Sequence, residues 1–243
     1  MNYKNIFKRH EENGGFWEVL KDNIAFYIDI TKQSFRELFK VGNKLFRDRN
    51  LKFFLSSFFF YSVGMQTIFL MATLFGKSEI NMAQDKLIMT LLVIQIVAII
   101  GAVIFSRLSR KIGNKNVISI AIVLWIVACL SAYYLKRDNP NVEYQFYGIA
   151  GIIGLVMGGL QAMSRSTYSK LLPEDGMDNT TYFSFYDVLE KLAIILGTFI
   201  FATMIEKYHN MRYSALSMSI FFLIGLILIR FVKAKILSDK EGA

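Results

Sequence analysis

The apolar sequence YFSFYDVLEKLAIILGTF, residues 182–199, contains three charged side chains. At 100° per residue, Asp187, Glu190 and Lys191 fall within about a third of the circumference of a helix. Asp187 and Lys191 are four residues apart, a spacing at which opposite charges meet. In a membrane such a face has to meet other helices or a water-filled cavity, where a carboxylate can gate a pathway or carry a proton. The alternative is that the charges sit at the membrane interface, because a lysine can snorkel to the headgroups.

A second polar cluster ends the apolar run GLVMGGLQAMSRSTYSKLLPEDG, residues 154–176. Tyr147, Gly151, Gly154 and Gly158 precede it at helical spacing, and small residues so spaced let another helix approach closely. The stripe continues to Arg165, which is a candidate partner for one of the carboxylates or for an anionic group of a solute; an ordinary positively charged anchor is the alternative. The candidate gating or solute-binding residues of the two runs are Gln161, Ser164, Arg165, Tyr168, Tyr186, Asp187, Glu190 and Lys191.

Two further amides lie inside apolar runs, and a buried amide needs hydrogen-bond partners. Gln66 shares a helical face with Ser62 and Thr73, and Gln95 has a similar place in the next run. Both are candidate solute contacts, with plain bonding between helices as the alternative. The sequence shows no Ser/His/Asp arrangement and no Cys/His/carboxylate set with metal-ligand spacing. We therefore expect no enzymatic activity, no metal and no cofactor.

The elements that must position these side chains follow from composition. The 243 residues are 54% hydrophobic and 19% charged, and they include only two prolines, whereas soluble domains are about 25% charged. A helix of about 20 residues crosses the hydrocarbon layer, where lipid offers no partner for free backbone groups. The pattern predicts an all-α membrane protein with six transmembrane helices, at residues 53–75, 87–105, 117–135, 146–163, 182–205 and 213–229.

The basic residues predict how these helices are oriented. Lys and Arg number 21 in the segments on the side of the amino terminus and six in the opposite loops, with Lys191 inside a span. Because basic residues favour the cytoplasmic side, we expect an integral multi-pass protein with both termini in the cytoplasm. The net charge of +9 then reflects membrane topology and does not indicate nucleic-acid binding.

Residues 1–52 differ from the rest of the chain. Their apolar side chains recur every three or four positions, with Lys32, Arg36 and Lys40 among the basic residues between them. A helix of this kind lies along a membrane surface or against a partner helix. The alternative for residues 1–30 is a solvated charged connector. We therefore divide the chain into a cytoplasmic basic amphipathic linker at 1–52, a six-helix transmembrane domain at 53–232 and a cytoplasmic tail at 233–243.

Three segments together resemble the carboxyl-terminal half of a major facilitator superfamily transporter. They are FFLSSFFFYSVGMQTIFLMATLFG, GLVMGGLQAMSRSTYSKLLPED and YFSFYDVLEKLAIILGTFIF. The most similar branch contains the autophagy-related vacuolar amino-acid effluxers and their bacterial relatives, and the resemblance covers about residues 35–232. It implies that the six helices are the last six of a twelve-helix transporter, which works by alternating access around a midplane site.

The expected function is secondary active transport of a small polar solute, and the resemblance implies an amino acid. Six helices form only half of the cavity. We therefore expect a fragment, a half-gene product or one subunit of a two-chain carrier, completed by an amino-terminal six-helix half or by a second copy. The plasma (inner) membrane of a bacterium is the expected location. The alternative function is a non-transporting membrane scaffold or accessory subunit.

Overall fold

The computed structural model describes residues 16–136, 138–173 and 179–233, and every regular element in these ranges is helical. Six of the helices are long and apolar enough to cross a membrane, as the sequence predicts. The amphipathic helix α1 spans Phe16–Leu45, and the six membrane helices are α2 (Arg49–Phe75), α3 (Gln84–Ile112), α4 (Asn114–Tyr134), α5 (Val142–Leu171), α6 (Asn179–Tyr208) and α7 (Met211–Arg230). A short π-helical turn, Gly76–Ile80, extends α2.

Local signals set several helix ends. The side chain of Asp48 accepts hydrogen bonds from the backbone N–H groups of Asn50 and Leu51, so α2 begins before the apolar run at residue 53. Gly113 separates α3 from α4 with a φ of 81°, which glycine adopts without strain. The helix α5 ends at Leu171, two residues before Pro173. The six-helix domain thus extends from 49 to 230, and most of the expected tail lies outside the described residues.

Four helices form the centre of the bundle. The helices α2, α7, α4 and α5 each pack on the next, and α2 also touches α5. Trp125 of α4 stacks on Phe222 of α7 with ring centroids 5.4 Å apart, and both side chains are buried. The helix α3 lies outside this ring against α5, and α6 lies outside it against α2 and α7. Consequently α3 and α6 expose the longest apolar faces, and they border the side of the bundle where α2 and α5 meet.

Glycines bring α3 and α5 into backbone contact. A Cβ at Gly158 or at Gly101 would overlap the carbonyl of Ala98 or Leu155 on the facing helix, and one at Gly154 would lie 2.7 Å from the carbonyl oxygen of Ile94. The glycine stripe of α5 therefore packs closely against another helix, α3. Gly151 is different, because a Cβ there would meet nothing within 4 Å.

We call the end of the bundle where α1 joins α2 the proximal end and the opposite one the distal end. At the proximal end, the Lys115 ammonium donates to the carbonyl oxygens of Arg230 and Val232 at 2.7 and 2.6 Å, and so caps α7. At the distal end, Lys86 pairs with Glu143 at 2.6 Å. Both ends are thus tied by contacts between elements that are far apart in sequence.

Among the side chains of α1 that the structure describes, those of the last turns pack on the bundle. Val41 and Leu45 are buried, and a Cβ at Gly42 would lie 2.8 Å from the ring of Phe185 on α6. Phe46 meets the same ring edge to face, with centroids 6.3 Å apart. The earlier side chains of α1 that the structure describes are exposed up to residue 34.

Candidate functional site

A polar network joins three helices of the bundle. It consists of Gln66 on α2, Arg165 on α5, and Asp187 and Glu190 on α6. At 1.5 Å per residue, Asp187 lies about 12 Å and Glu190 about 16 Å from the start of α6, a helix of 30 residues. The network therefore lies inside membrane-spanning helices, and Glu190 is its deeper carboxylate.

The amide of Gln66 donates a hydrogen bond of 2.6 Å to Glu190 Oε1. The other carboxylate oxygen, Oε2, lies 4.0 Å from a terminal nitrogen of Arg165, and the Glu190 side chain is 15% exposed. Glu190 is therefore held by one neutral donor and one more distant cation. Because a carboxylate accepts several hydrogen bonds, it has unused capacity for a cationic or hydrogen-bonding group of a solute.

Arg165 bridges α5 and α6. The same terminal nitrogen donates a 2.9 Å hydrogen bond to Asp187 Oδ1, and the guanidinium lies 5.4 Å from the ring centroid of Tyr186. The side chains of Arg165 and Asp187 are 52% and 49% exposed, so this pair opens onto the surface of the six-helix bundle. One arginine faces two carboxylates, which leaves the network with an excess of negative charge.

Aromatic side chains line the network on its buried side. Tyr186 stacks on Phe58 with ring centroids 3.9 Å apart and lies 5.1 Å from Tyr168. The Tyr168 hydroxyl donates to the carbonyl oxygen of Tyr182 at 2.8 Å, so it crosses from α5 to α6. These rings are buried. These rings pack behind the network and hold in place the α6 segment that carries both carboxylates.

A second hydroxyl bond crosses from α2 to α5. Tyr61 Oη and Ser164 Oγ are 2.6 Å apart, and Ser164 also donates to the carbonyl of Leu160 at 2.5 Å. With Ser164 as donor to Leu160, Tyr61 donates to Ser164. Ser164 thus directs its hydroxyl into the bundle, one position before Arg165, whose side chain reaches the open side.

Of the ten candidate residues, the structure brings seven together: Gln66, Ser164, Arg165, Tyr168, Tyr186, Asp187 and Glu190. Gln95 is exposed on α3 and stands outside the network. Gln161 is half-buried one turn before Arg165, without a side-chain hydrogen bond in the described part of the chain. Lys191 is exposed, and Asp187 pairs with Arg165, not with Lys191.

Sequence reasoning did not single out Tyr61, Phe58 or Lys115. A tyrosine hydroxyl inside an apolar run needs a partner for the same reason as Gln66 does, and that signal was available for Tyr61. The roles of Phe58 and Lys115 depend on helix packing and on the position of a helix end in space. Neither is visible in a linear pattern.

Comparison with known proteins places these helices in a family. Residues 17–237 match the family model described as "Vacuole effluxer Atg22 like". The "Uncharacterized MFS-type transporter YxiO" of Bacillus subtilis (strain 168) is 29% identical over 210 residues, which are 86% of this chain and 47% of the relative. "Autophagy-related protein 22" of Vanderwaltozyma polyspora is 31% identical over 206 residues, 82% of this chain and 37% of the relative.

The corresponding protein of Kluyveromyces lactis is 27% identical over 184 residues, 73% of this chain and 37% of the relative. The chain thus spans about half the length, or less, of the curated relatives it matches. The Bacillus relative is an MFS-type transporter by name. The match of the family model over most of the sequence shows that the chain belongs to the Atg22-like vacuole effluxer family.

Proposed function

We propose that these six helices are half of a secondary active transporter for a small polar solute, with the polar network on its transport pathway. The observation that carries this proposal is the ion pair of Arg165 with Asp187. Both side chains are half exposed, although they belong to membrane-spanning helices. Charged groups at such depth are costly in lipid and are found facing water or other helices. Water or a further set of helices therefore has to cover this side.

The arrangement of helices supports the same proposal. The exposed side of the network is where α2 and α5 meet, bordered by α3 and α6, whereas α4 and α7 close the back. Gln95 is exposed on α3, and an amide there also has to be met by water or a polar partner. We propose that an amino-terminal six-helix half, or a second copy of this chain, faces this side and encloses the solute.

The network residues suit separate roles in alternating access. Arg165 and Asp187 form an exposed bridge between α5 and α6 that opens by side-chain rotation, which fits a gate. Gln66 and Glu190 are deeper and offer an amide and a carboxylate, which fits binding of a polar or cationic group. Because the network has two carboxylates and one arginine, either Asp187 or Glu190 also fits coupling to a proton. An amino acid is the proposed solute because the resemblance to the effluxer branch implies it.

Transport in proteoliposomes tests the proposal. The chain is reconstituted with and without a separately expressed amino-terminal six-helix half, and uptake of labelled amino acids is followed under an imposed pH gradient. We expect transport in the two-half preparation and its loss in Arg165→Ala; transport by this chain alone would identify a second copy as the other half. Arg107→Ala, at an exposed basic site of α3 outside the network, should retain it. Two assembled halves that bind each other but move no solute would favour the scaffold function instead.

We also propose that both termini face the cytoplasm of a bacterium and that the protein lies in the plasma membrane. The excess of basic residues at the proximal end supports this orientation, and the Bacillus relative supports a bacterial setting. Protease digestion of inside-out and right-side-out vesicles tests the orientation. Cleavage within residues 1–45 only in inside-out vesicles is expected, and cleavage there only in right-side-out vesicles would contradict it.

A further inference from the structure

The apolar stripe of α1 is covered along only part of its length. At its carboxyl-terminal end, Val41 and Leu45 are buried against the bundle. Three turns or more towards the amino terminus, Ile24, Tyr27 and Ile28 are 51%, 67% and 47% exposed. Position 24 shares its helical face with positions 28 and 42 at 100° per residue. One continuous face is therefore docked at one end and bare at the other.

The docked end lies next to the proximal ends of membrane-spanning helices. The helix α1 ends at Leu45 and the membrane-spanning helix α2 begins at Arg49. The residue that α1 touches, Phe185, is about 9 Å from the proximal end of α6. Ile24, at the bare end of the stripe, lies about 27 Å along the helix from Gly42 at the docked end. The stripe thus continues beyond α6, the helix that covers its other end.

The side chains on and beside the bare stripe suit contact with a surface that is both apolar and negatively charged. Ile24, Tyr27, Ile28, Thr31 and Lys32 line one shallow groove. Lys32 borders the stripe, and exposed Arg36 and Lys40 follow it at four-residue spacing. Apolar side chains on one face with lysine and arginine beside them bind anionic lipid surfaces, and tyrosine is enriched at membrane interfaces.

We propose that the bare stripe of α1, around Ile24, Tyr27 and Ile28, rests on an anionic lipid surface. The membrane boundary beside α2, the continuity with the docked end and the adjacent cations favour lipid as the occupant. The inference depends on the membrane-spanning helices alone, so it holds whether or not the protein transports a solute. It also assigns a position to α1, which then lies along the proximal membrane surface and does not project away from it.

Spin labels on the full chain test the proposal. The single cysteine, Cys129, is buried, so cysteines introduced at exposed positions of α1 can be labelled selectively. Tyr27→Cys reports on the stripe. Gln33→Cys is the matched control, because position 33 is exposed and lies opposite Ile24 on the helix. Accessibility to oxygen, which concentrates in lipid, and to a nickel chelate, which stays in water, is measured in vesicles of phosphatidylcholine with and without phosphatidylglycerol.

We expect the label at 27 to favour oxygen over nickel in the vesicles with phosphatidylglycerol, and the label at 33 to favour nickel. The preference at 27 should be lost without phosphatidylglycerol, and also when Lys32, Arg36 and Lys40 are all changed to Gln. Equal nickel accessibility at both positions would overturn the proposal. So would a label at 27 shielded from both reagents, which indicates a protein occupant, and so would insertion that does not depend on the anionic lipid.

Discussion

Two helix pairs that share α5 are held together in opposite ways. Between α3 and α5 the backbones touch, because Gly158 and Gly101 leave no room for even one methyl group. Between α5 and α6 the bridge consists of side chains: Arg165 reaches Asp187, and Tyr168 reaches the carbonyl of Tyr182. The α3–α5 contact is made by backbone atoms, which are fixed within their helices. The α5–α6 contact is made by side chains, which can change rotamer.

This difference indicates where the bundle can move. Close-packed backbones behave as a rigid unit, because a backbone carbonyl cannot be displaced without moving its helix. A side-chain bridge opens when a rotamer changes, on a timescale much faster than helix displacement. We therefore expect α3 and α5 to move as one body and any opening of the bundle to occur between α5 and α6, at the polar network.

The largest effect is expected from Gly158→Ala on α5. The added methyl group meets the backbone of Ala98, and overpacking of this kind costs about 3 kcal/mol. The matched control is Gly151→Ala on the same helix, where the space is open. Both variants are compared with the parent chain by reversible unfolding in mixed detergent micelles. Similar stabilities of the two variants would contradict the rigid contact between α3 and α5.

Asp187→Asn removes the carboxylate charge from the α5–α6 bridge with little change in the shape of the side chain. If Asp187 carries a proton during transport, the ratio of uptake with and without a pH gradient should fall to one, because an amide does not titrate. The control is Asp85→Asn, at an exposed carboxylate near the distal end. This prediction depends on the proposed transport function. A gradient dependence that survives in Asp187→Asn would exclude this residue from proton coupling.

The sequence predicts the six membrane helices, but it predicts only part of the candidate site. Six spans follow from hydrophobicity, which is a local property of the chain. The pairing of Arg165 with a carboxylate was one of several alternatives, and helical spacing favoured Lys191 equally as the partner of Asp187. The structure selects Arg165 because α5 lies beside that face of α6. Such a choice depends on how two helices are placed, which a one-dimensional pattern does not contain.

Amides illustrate the same limit. Gln66 and Gln95 occupy similar positions in consecutive apolar runs, so they were equivalent candidates. In the structure, Gln66 bonds to Glu190, whereas Gln95 faces outward from α3. The sequence indicates that each amide needs a partner, but the identity of the partner depends on which side of its helix faces the bundle.

Tyr168→Phe weakens the α5–α6 bridge at its buried end. The ring and its contact with Tyr186 are kept, but the bond from the hydroxyl to the carbonyl of Tyr182 is lost. A hydrogen bond of this kind contributes about 1 kcal/mol. The free energy of unfolding should fall by that amount. Tyr134→Phe, at an exposed ring near the distal end, is the control and should leave stability unchanged. A loss as large as that of Gly158→Ala would show that α5 and α6 are joined as rigidly as α3 and α5.

The smallest effect on stability is expected at the exposed end of the same bridge. Arg165 and Asp187 are half exposed, and ion pairs of this exposure contribute at most about 1 kcal/mol. Arg165→Ala, Asp187→Ala and the double variant form a cycle that isolates their interaction. We expect a coupling energy of about 0.5 kcal/mol in detergent, where water reaches the pair.

If a second half covers this side, the coupling measured in the assembled complex should increase, because the pair is then shielded from water. A coupling that is equal in both preparations would mean that the Arg165–Asp187 bridge stays open to solvent and does not lie at the interface between two halves.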